Sequence, residues 1–359
     1  MRVHKVTVLV VLVAASLSST AWAAGVQQQA AVPETRTIVD SAGRAVAVPL
    51  EVTRAVVLST AAAEVIRAIG AEESIIAVSG SFREGPLWGD FSELPRVSAT
   101  ALRDIDYEAI LALAPDIVIG YGTHPAADVQ AMSDALSPAG IAVAGIDCYK
   151  FETLPDEITT LGVIFGRITE AAEYREYLTS IDETVRAIGE AVPRDQRVRV
   201  FAQHHGGDYR AMGAGSEWTM MIEAAGGINV FAEFSPASSF DIDTERLIEI
   251  NPDVFLVDAR SVPRIGFGVT DSSEAEQYFQ ERRDRAGWHL LSFAQYDRMH
   301  AIAGDIGGGP TKFLGMAFFA RLLQPDLFPD LNPDALLTEY YRRFHSLVIE
   351  GIFAWPPTW

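Results

Sequence analysis

Three kinds of side chain in this chain could hold a small molecule. Aromatic rings at Trp88, Tyr121, Tyr149 and Tyr209 could stack on a planar or macrocyclic solute. Guanidinium groups at Arg83, Arg260 and Arg264 could pair with carboxylate or catecholate oxygens. Imidazoles at His124, His204 and His205 could serve a transition metal as neutral bases. Ser59, Thr60 and Asp305 add short polar groups. For any one of these residues, loop packing is the competing role. Adjacent histidines at a strand end should point to opposite faces, which makes a shared bare-metal site awkward, and no His-rich run accompanies them. A histidine giving one ligand to a haem or a metal chelate stays open.

Catalytic motifs are missing. There is no G-x-S-x-G nucleophile turn. Gly307-Gly-Gly-Pro-Thr-Lys312 lacks the spacing and Lys-Ser/Thr order of a phosphate loop, and Gly213-Ala-Gly215 lacks the third glycine of a dinucleotide fingerprint. Both read as turns. No catalytic residue, resident cofactor or protein-held metal is called for, so the chain is not read as an enzyme. The single cysteine, Cys148, cannot make an internal disulfide and reads as a small core residue. A net charge of −20 repels polyanions at long range, so nucleic acid is excluded as a partner.

The candidates share one placement: each follows a predicted strand. Buried strands are predicted at Arg54–Ser59, Ser74–Val78, Ile117–Ile119 and Ile141–Ile146, then at Val198–Ala202, Val254–Val257 and Met299–Ala303. Helices are predicted between them, at Ala61–Ile69, Ile105–Leu113 and Trp218–Ala225. Alternating strands and helices imply parallel sheets covered on both faces, with ligand contacts in loops at the carboxyl ends of the strands.

The two blocks are built alike. Asp104-Ile-Asp-Tyr-Glu108 through Pro115-Asp116-Ile-Val-Ile recurs without a gap at Asp241-Ile-Asp-Thr-Glu245 through Pro252-Asp253-Val-Phe-Leu. Each copy predicts a helix that stops at Pro-Asp and feeds a buried strand. Between the blocks, Tyr174, Leu178, Ile181, Val185 and Ile188 form one apolar helical face. Gly166 and Thr169 predict a break there, with Thr169 as N-cap of a helix roughly 30 Å long. The fold class is therefore α/β: two similar lobes, each a mostly parallel sheet flanked by helices, joined by one long rigid helix.

Arg2 and Lys5, the apolar run Val6–Leu17 and Ala21-Trp-Ala23 read as a signal peptide over 1–23. The predicted organisation continues with an N-terminal lobe over 35–155, connecting helices over 156–192, a C-terminal lobe over 193–325, and a closing helix and tail over 326–359 packed on a lobe. With no cysteine directly following the signal segment, the product is expected in the periplasm without a lipid anchor.

Several segments in this order resemble the class III solute-binding proteins of ABC importers. They are Thr37-Ile-Val-Asp-Ser-Ala-Gly-Arg44 with Val48-Pro49, Arg54–Ser59 with Glu64 and Gly70, both Glu…Pro-Asp segments, and Glu223-Ala-Ala-Gly-Gly-Ile-Asn229. Pro325 to Phe344 is similar to a subset that carries iron complexes, whereas Gly351–Trp359 departs from shorter members and suggests no role. The resemblance implies the two-lobed class III fold and a ligand cleft between the lobes. It implies delivery of a metal-chelate nutrient, siderophore-like first and corrinoid or haem next, whose iron or cobalt arrives with the ligand. It also implies a monomer whose Glu108 and Glu245 dock onto an ABC permease dimer in the inner membrane. The competing expectations are an oxyanion such as molybdate, a bare transition metal, or a chelate-processing enzyme on the same scaffold.

Overall fold

The computed structural model describes residues 34–82, 85–260 and 262–357. The signal segment and Arg83 lie outside them. The described chain opens with an antiparallel pair, β1 (Thr35–Val39) and β2 (Ala45–Pro49). Its turn is fixed by an Asp40–Arg44 ion pair at 2.7 Å.

The first lobe then alternates as expected. Its elements are β3 (Ala55–Val57), α1 (Thr60–Ala68), β4 (Ile75–Val78), β5 (Ser98–Thr100), β6 (Arg103–Ile105), α2 (Tyr107–Leu113), β7 (Ile117–Gly120), α3 (Val129–Leu136) and β8 (Ala142–Gly145). Four of these strands make a parallel sheet in the order β4-β3-β7-β8. Every residue of β3 and β7 is buried, as parallel strands covered on both faces should be.

Helices α4 (Leu154–Phe165) and α5 (Ile168–Gly189) connect the lobes. Tyr174, Leu178, Ile181 and Val185 of α5 are buried, and Gly166 ends α4 in the left-handed conformation. Thr169 is not the N-cap. Helix α5 starts one residue before it, with Arg167 at the cap and no side-chain capping bond. At 22 residues, α5 runs about 33 Å.

The second lobe contains β9 (Val198–Gln203), β10 (Arg210–Met212), α6 (Glu217–Ala224), β11 (Gly227–Asn229), β12 (Ser239–Asp241), α7 (Thr244–Ile250), β13 (Val254–Ala259), β14 (Gly266–Phe267), α8 (Ser273–Arg283), α9 (Ser292–Gln295), β15 (Met299–Ala303) and α10 (Lys312–Leu323). Strands β11, β9, β13 and β15 are parallel neighbours, and β10 and β12 extend the β9 side antiparallel. Helix α11 (Pro333–His345) packs on α10 and on α1, so it touches both lobes rather than one. The tail gives β16 (Gly351–Ile352), which pairs with β14, and β17 (Ala354–Trp355), which pairs with β15.

The internal repeat holds at atomic detail. Asp106 caps α2 by accepting from the Ala109 amide, and Asp243 caps α7 by accepting from the Arg246 amide. Both helices end on a left-handed residue, Ala114 and Asn251. Arg54 and Arg199 donate to the carbonyls of those C-termini. Asp116 and Asp253 accept from the Arg54 and Arg199 amides. Helix α2 begins at Tyr107 rather than Ile105, because Asp106 takes the cap and Ile105 ends β6. Among the described residues, no helix is long and apolar enough to cross a membrane.

Candidate functional site

The carboxyl ends of β3 and β4 open the site. Ser59 caps α1 through the Ala62 amide and is fully buried, which leaves Thr60 beside it to reach open space. The loop after β4 folds around an aromatic cluster. Trp88 meets Phe82 edge-on at 5.0 Å and stacks on Phe91 at 5.6 Å. This fixes the half-buried Trp88 on the wall with Gly85, Pro86 and Leu87.

The ends of β7 and β8 supply Tyr121 and Tyr149, whose rings meet edge-on at 5.6 Å. Desolvation raises the pKa of the Tyr121 hydroxyl, despite its hydrogen bond with Ser59. His124 lies 5.7 Å from the Tyr121 ring, and its Nδ1 accepts from the Ala126 amide. Cys148 is fully buried and donates its backbone amide to Glu157 at 2.7 Å. Burial pushes its thiol pKa well up.

From the second lobe, β13 places Asp258 and Arg260. The Arg260 Nε donates to Asp258 Oδ2 at 3.0 Å, and His205 Nδ1 lies 2.9 Å from the same oxygen. The guanidinium of Arg264 makes no ion pair among the described residues and faces the cavity. Asp305, after β15, accepts from the Phe267 amide at 3.3 Å. Desolvation by the wall raises its pKa, although the side chain faces the opening. Gly266 has φ 114°, and a Cβ there would fall 2.1 Å from Asp305 Oδ2, so this contact requires glycine.

The two halves meet around a cavity of about 740 Å³. Of the sequence candidates, Thr60, Trp88, Tyr121, Tyr149, Arg260, Arg264 and Asp305 line it together. Ser59, His124, His204, His205 and Tyr209 do not line it. Tyr209 packs on Trp288 at 6.2 Å and on Arg285. The expected divergence of His204 and His205 is not seen: their rings lie 4.0 Å apart. Strand β9 ends at Gln203, so both histidines sit in a turn where alternation no longer applies. His204 Nδ1 accepts from the Gly206 amide, and burial lowers its pKa. Among the described residues, no three His, Cys, Asp or Glu side chains form a cluster able to hold a metal ion.

Sequence reasoning missed Glu64, Phe267 and Tyr341, which also line the cavity. Glu64 carried a signal, because a carboxylate interrupts the apolar run Ala61-Ala-Ala-Glu-Val-Ile66. Phe267 and Tyr341 carried none, since the β14–β16 pairing and the packing of α11 on α1 place them. A second cavity, about 800 Å³, lies at the amino end of β9. There Arg197 and Arg199 donate to main-chain carbonyls, so these guanidinium groups brace the lobe.

Twin α/β lobes, a stiff helical connector and a cleft at the strands' carboxyl ends define a two-lobed binding protein of the class III type. The chain belongs to the periplasmic binding protein family, whose sequence profile matches residues 56–295. It is similar to the molybdate-binding protein MolA of Haemophilus influenzae, 27% identical over 86% of this chain and 91% of that protein. It is also similar to a cobalamin-binding protein of Halobacterium salinarum, 26% identical over 60% of this chain and 56% of that protein. Among solved structures, the TroA-like periplasmic binding protein FepB of Veillonella parvula superposes with a TM-score of 0.76 at 19% identity, over 89% of this chain and 98% of that one.

Proposed function

We propose that the protein captures an oxygen-rich, anionic, metal-containing solute in the interlobe cleft and hands it to an ABC import permease. The observation that carries this reading is the cavity itself. Its aromatic side, Trp88, Tyr121 and Tyr149, comes from one lobe, and its guanidinium side, Arg260 and Arg264, from the other. A space of about 740 Å³ falls within the usual range for organic ligands, which favours a metal chelate of siderophore or corrinoid type. Aromatic faces suit the organic frame, and the Arg264 guanidinium, which makes no ion pair among the described residues, suits its oxygens.

A bare oxyanion is the second reading. It is favoured by the MolA relative, which matches across nearly its whole length and is named for molybdate. Carriage without turnover is the role we assign. Cys148 is buried with a raised pKa, and Ser59 is buried as a helix cap, so neither presents a nucleophile to the cleft. Glu108 and Glu245 stand exposed in the first turns of equivalent helices, one per lobe, which fits docking on a two-fold permease.

Native mass spectrometry of the protein recovered from its own periplasm, with metal analysis, tests the ligand. An organic chelate mass with iron or cobalt supports the first reading, and molybdenum without an organic mass supports the second. A product mass formed from a supplied chelate would overturn carriage.

A further inference from the structure

Glu64 lies on α1 at the cavity wall, 7% exposed. Its Oε1 accepts from the Tyr340 hydroxyl at 2.6 Å, and that hydroxyl is bonded to the Tyr174 hydroxyl at 2.7 Å. Its Oε2 lies on the cavity side, near Gly309, where a Cβ would approach to 3.6 Å. Helix α11 presents Tyr340, Tyr341 and His345 to this region, and α5 presents Tyr174. Helix α4 contributes Glu157, held by Ser41 and by the Cys148 amide. From the second lobe come Asp305 and Lys312, and the Lys312 ammonium is taken by the Tyr149 carbonyl and by Glu217. Arg67 follows on α1 itself.

Among the described residues, the one hydrogen bond to this carboxyl is from a neutral phenol, and no cation is paired with it. A buried carboxylate so poorly compensated favours its neutral form. Burial accordingly raises the Glu64 pKa to about 7, against the lowering effect of Tyr340.

We propose that Glu64 is the proton carrier of the cleft: when an anionic solute seats, this carboxyl takes one proton from solution and donates it in a hydrogen bond to a solute oxygen. The proposal rests on the anion reading above. An ionised Glu64 would set a negative charge against the solute, whereas the neutral acid offers a donor opposite the guanidinium wall. Binding and protonation then reinforce each other reciprocally. Asp305 is the other cavity carboxyl with a raised pKa, so Asp305→Asn is the comparison variant.

Infrared spectroscopy of the ligand-free protein comes first. A protonated-carboxyl band should titrate near pH 7 in the wild type and vanish in Glu64→Gln but not in Asp305→Asn. Its absence from the wild type under mildly acidic conditions overturns the proposal whatever the ligand. Calorimetry with molybdate and, separately, a ferric catecholate follows, in buffers of different ionisation enthalpy. At a pH well above the Glu64 pKa, each probe that binds should take up close to one proton in the wild type and none in Glu64→Gln, and the wild-type uptake should shrink toward zero below that pKa. Wild-type Kd should weaken by up to about tenfold per pH unit above the Glu64 pKa, while that of Glu64→Gln stays flat. The same pH dependence in both proteins overturns the proposal and leaves the anion reading standing. If neither probe binds at any pH, the anion reading falls with the coupling, and the infrared band still decides whether Glu64 carries a proton.

Discussion

Three buried side chains with large pKa shifts, Glu64, His300 and His345, pull the pH dependence of stability in opposite directions. Glu64 has its pKa raised from 4.5 to about 7. A raised carboxyl means that the folded state binds more protons between those values. Its contribution to stability is therefore full below pH 4.5 and is lost as pH rises to 7, by about 3 kcal/mol. His300 and His345 are pushed down from 6.5 to about 4 and about 3, in both cases chiefly by burial. Their contributions are full above 6.5 and are lost as pH falls through that window. Urea unfolding across pH should thus show Glu64→Gln gaining stability relative to wild type as pH rises, by about 3 kcal/mol between the two Glu64 pKa values. A constant difference would refute a buried, proton-binding Glu64. His345 adds a second expectation. Neither of its ring nitrogens has a hydrogen-bond partner among the described residues, and Tyr340 and Tyr341 pack against the ring. His345→Phe should leave stability at neutral pH within about 1 kcal/mol of wild type and should flatten the acid limb.

At the scale of elements, the C-terminal tail has the clearest consequence. Strand β16 pairs with β14, the Gly268 amide donates to the Glu350 carbonyl at 2.8 Å, and the Ile352 amide donates to Val269. Phe353 packs edge-on against Phe267 at 5.2 Å, and Phe267 packs against Tyr341 at 5.2 Å. Since Phe267, Tyr341 and Arg264 all line the cleft, the tail straps one cleft wall in place. Ending the chain after Ile349 should weaken capture of the solute by about tenfold or more, as followed by tryptophan fluorescence. The second lobe should remain folded, because β15 still pairs with β13. Unchanged affinity in the truncated chain would remove the strap from the account. These contacts also show where the sequence stopped being legible. Strands β3, β7, β13 and β15 and the repeated helices α2 and α7 declare themselves by short-range apolar pattern and Pro-Asp stops. The β14–β16 pairing joins segments of two residues far apart in the chain, with no local pattern to announce it. The start of α5 was misplaced for a related reason. Thr169 has the right chemistry for a cap, but the left-handed Gly166 already turns the chain, and the helix begins before the threonine. Of the cleft, the aromatic and basic walls were readable from loop position, whereas Glu64 looked like a family marker without an evident task.

At the scale of the whole molecule, the lobes are joined by more than the connector. Lys312, fully buried, reaches from the second lobe to the Tyr149 carbonyl of the first, and the Phe151 and Phe313 rings meet at 4.8 Å. Helix α11 crosses from α10 to α1, and the Tyr174–Tyr340–Glu64 chain ties connector, closing helix and first lobe together. A body braced in this way should change shape little on binding, so that the permease meets nearly the same surface whether or not the cleft is filled. Recognition would then depend on fixed features, and the matched pair Glu108 and Glu245 offers one exposed carboxylate per lobe on helices with the same caps and the same arginine braces. Replacing both with alanine should leave solute affinity within about twofold of wild type, because neither lines the cleft, and should abolish transporter-coupled uptake. Each single replacement should cost part of the uptake, since a charge-assisted contact on the other lobe survives. Wild-type uptake by the double variant would show that the permease reads some other part of the surface, and a matching loss of solute affinity would place the two helices in the capture step instead.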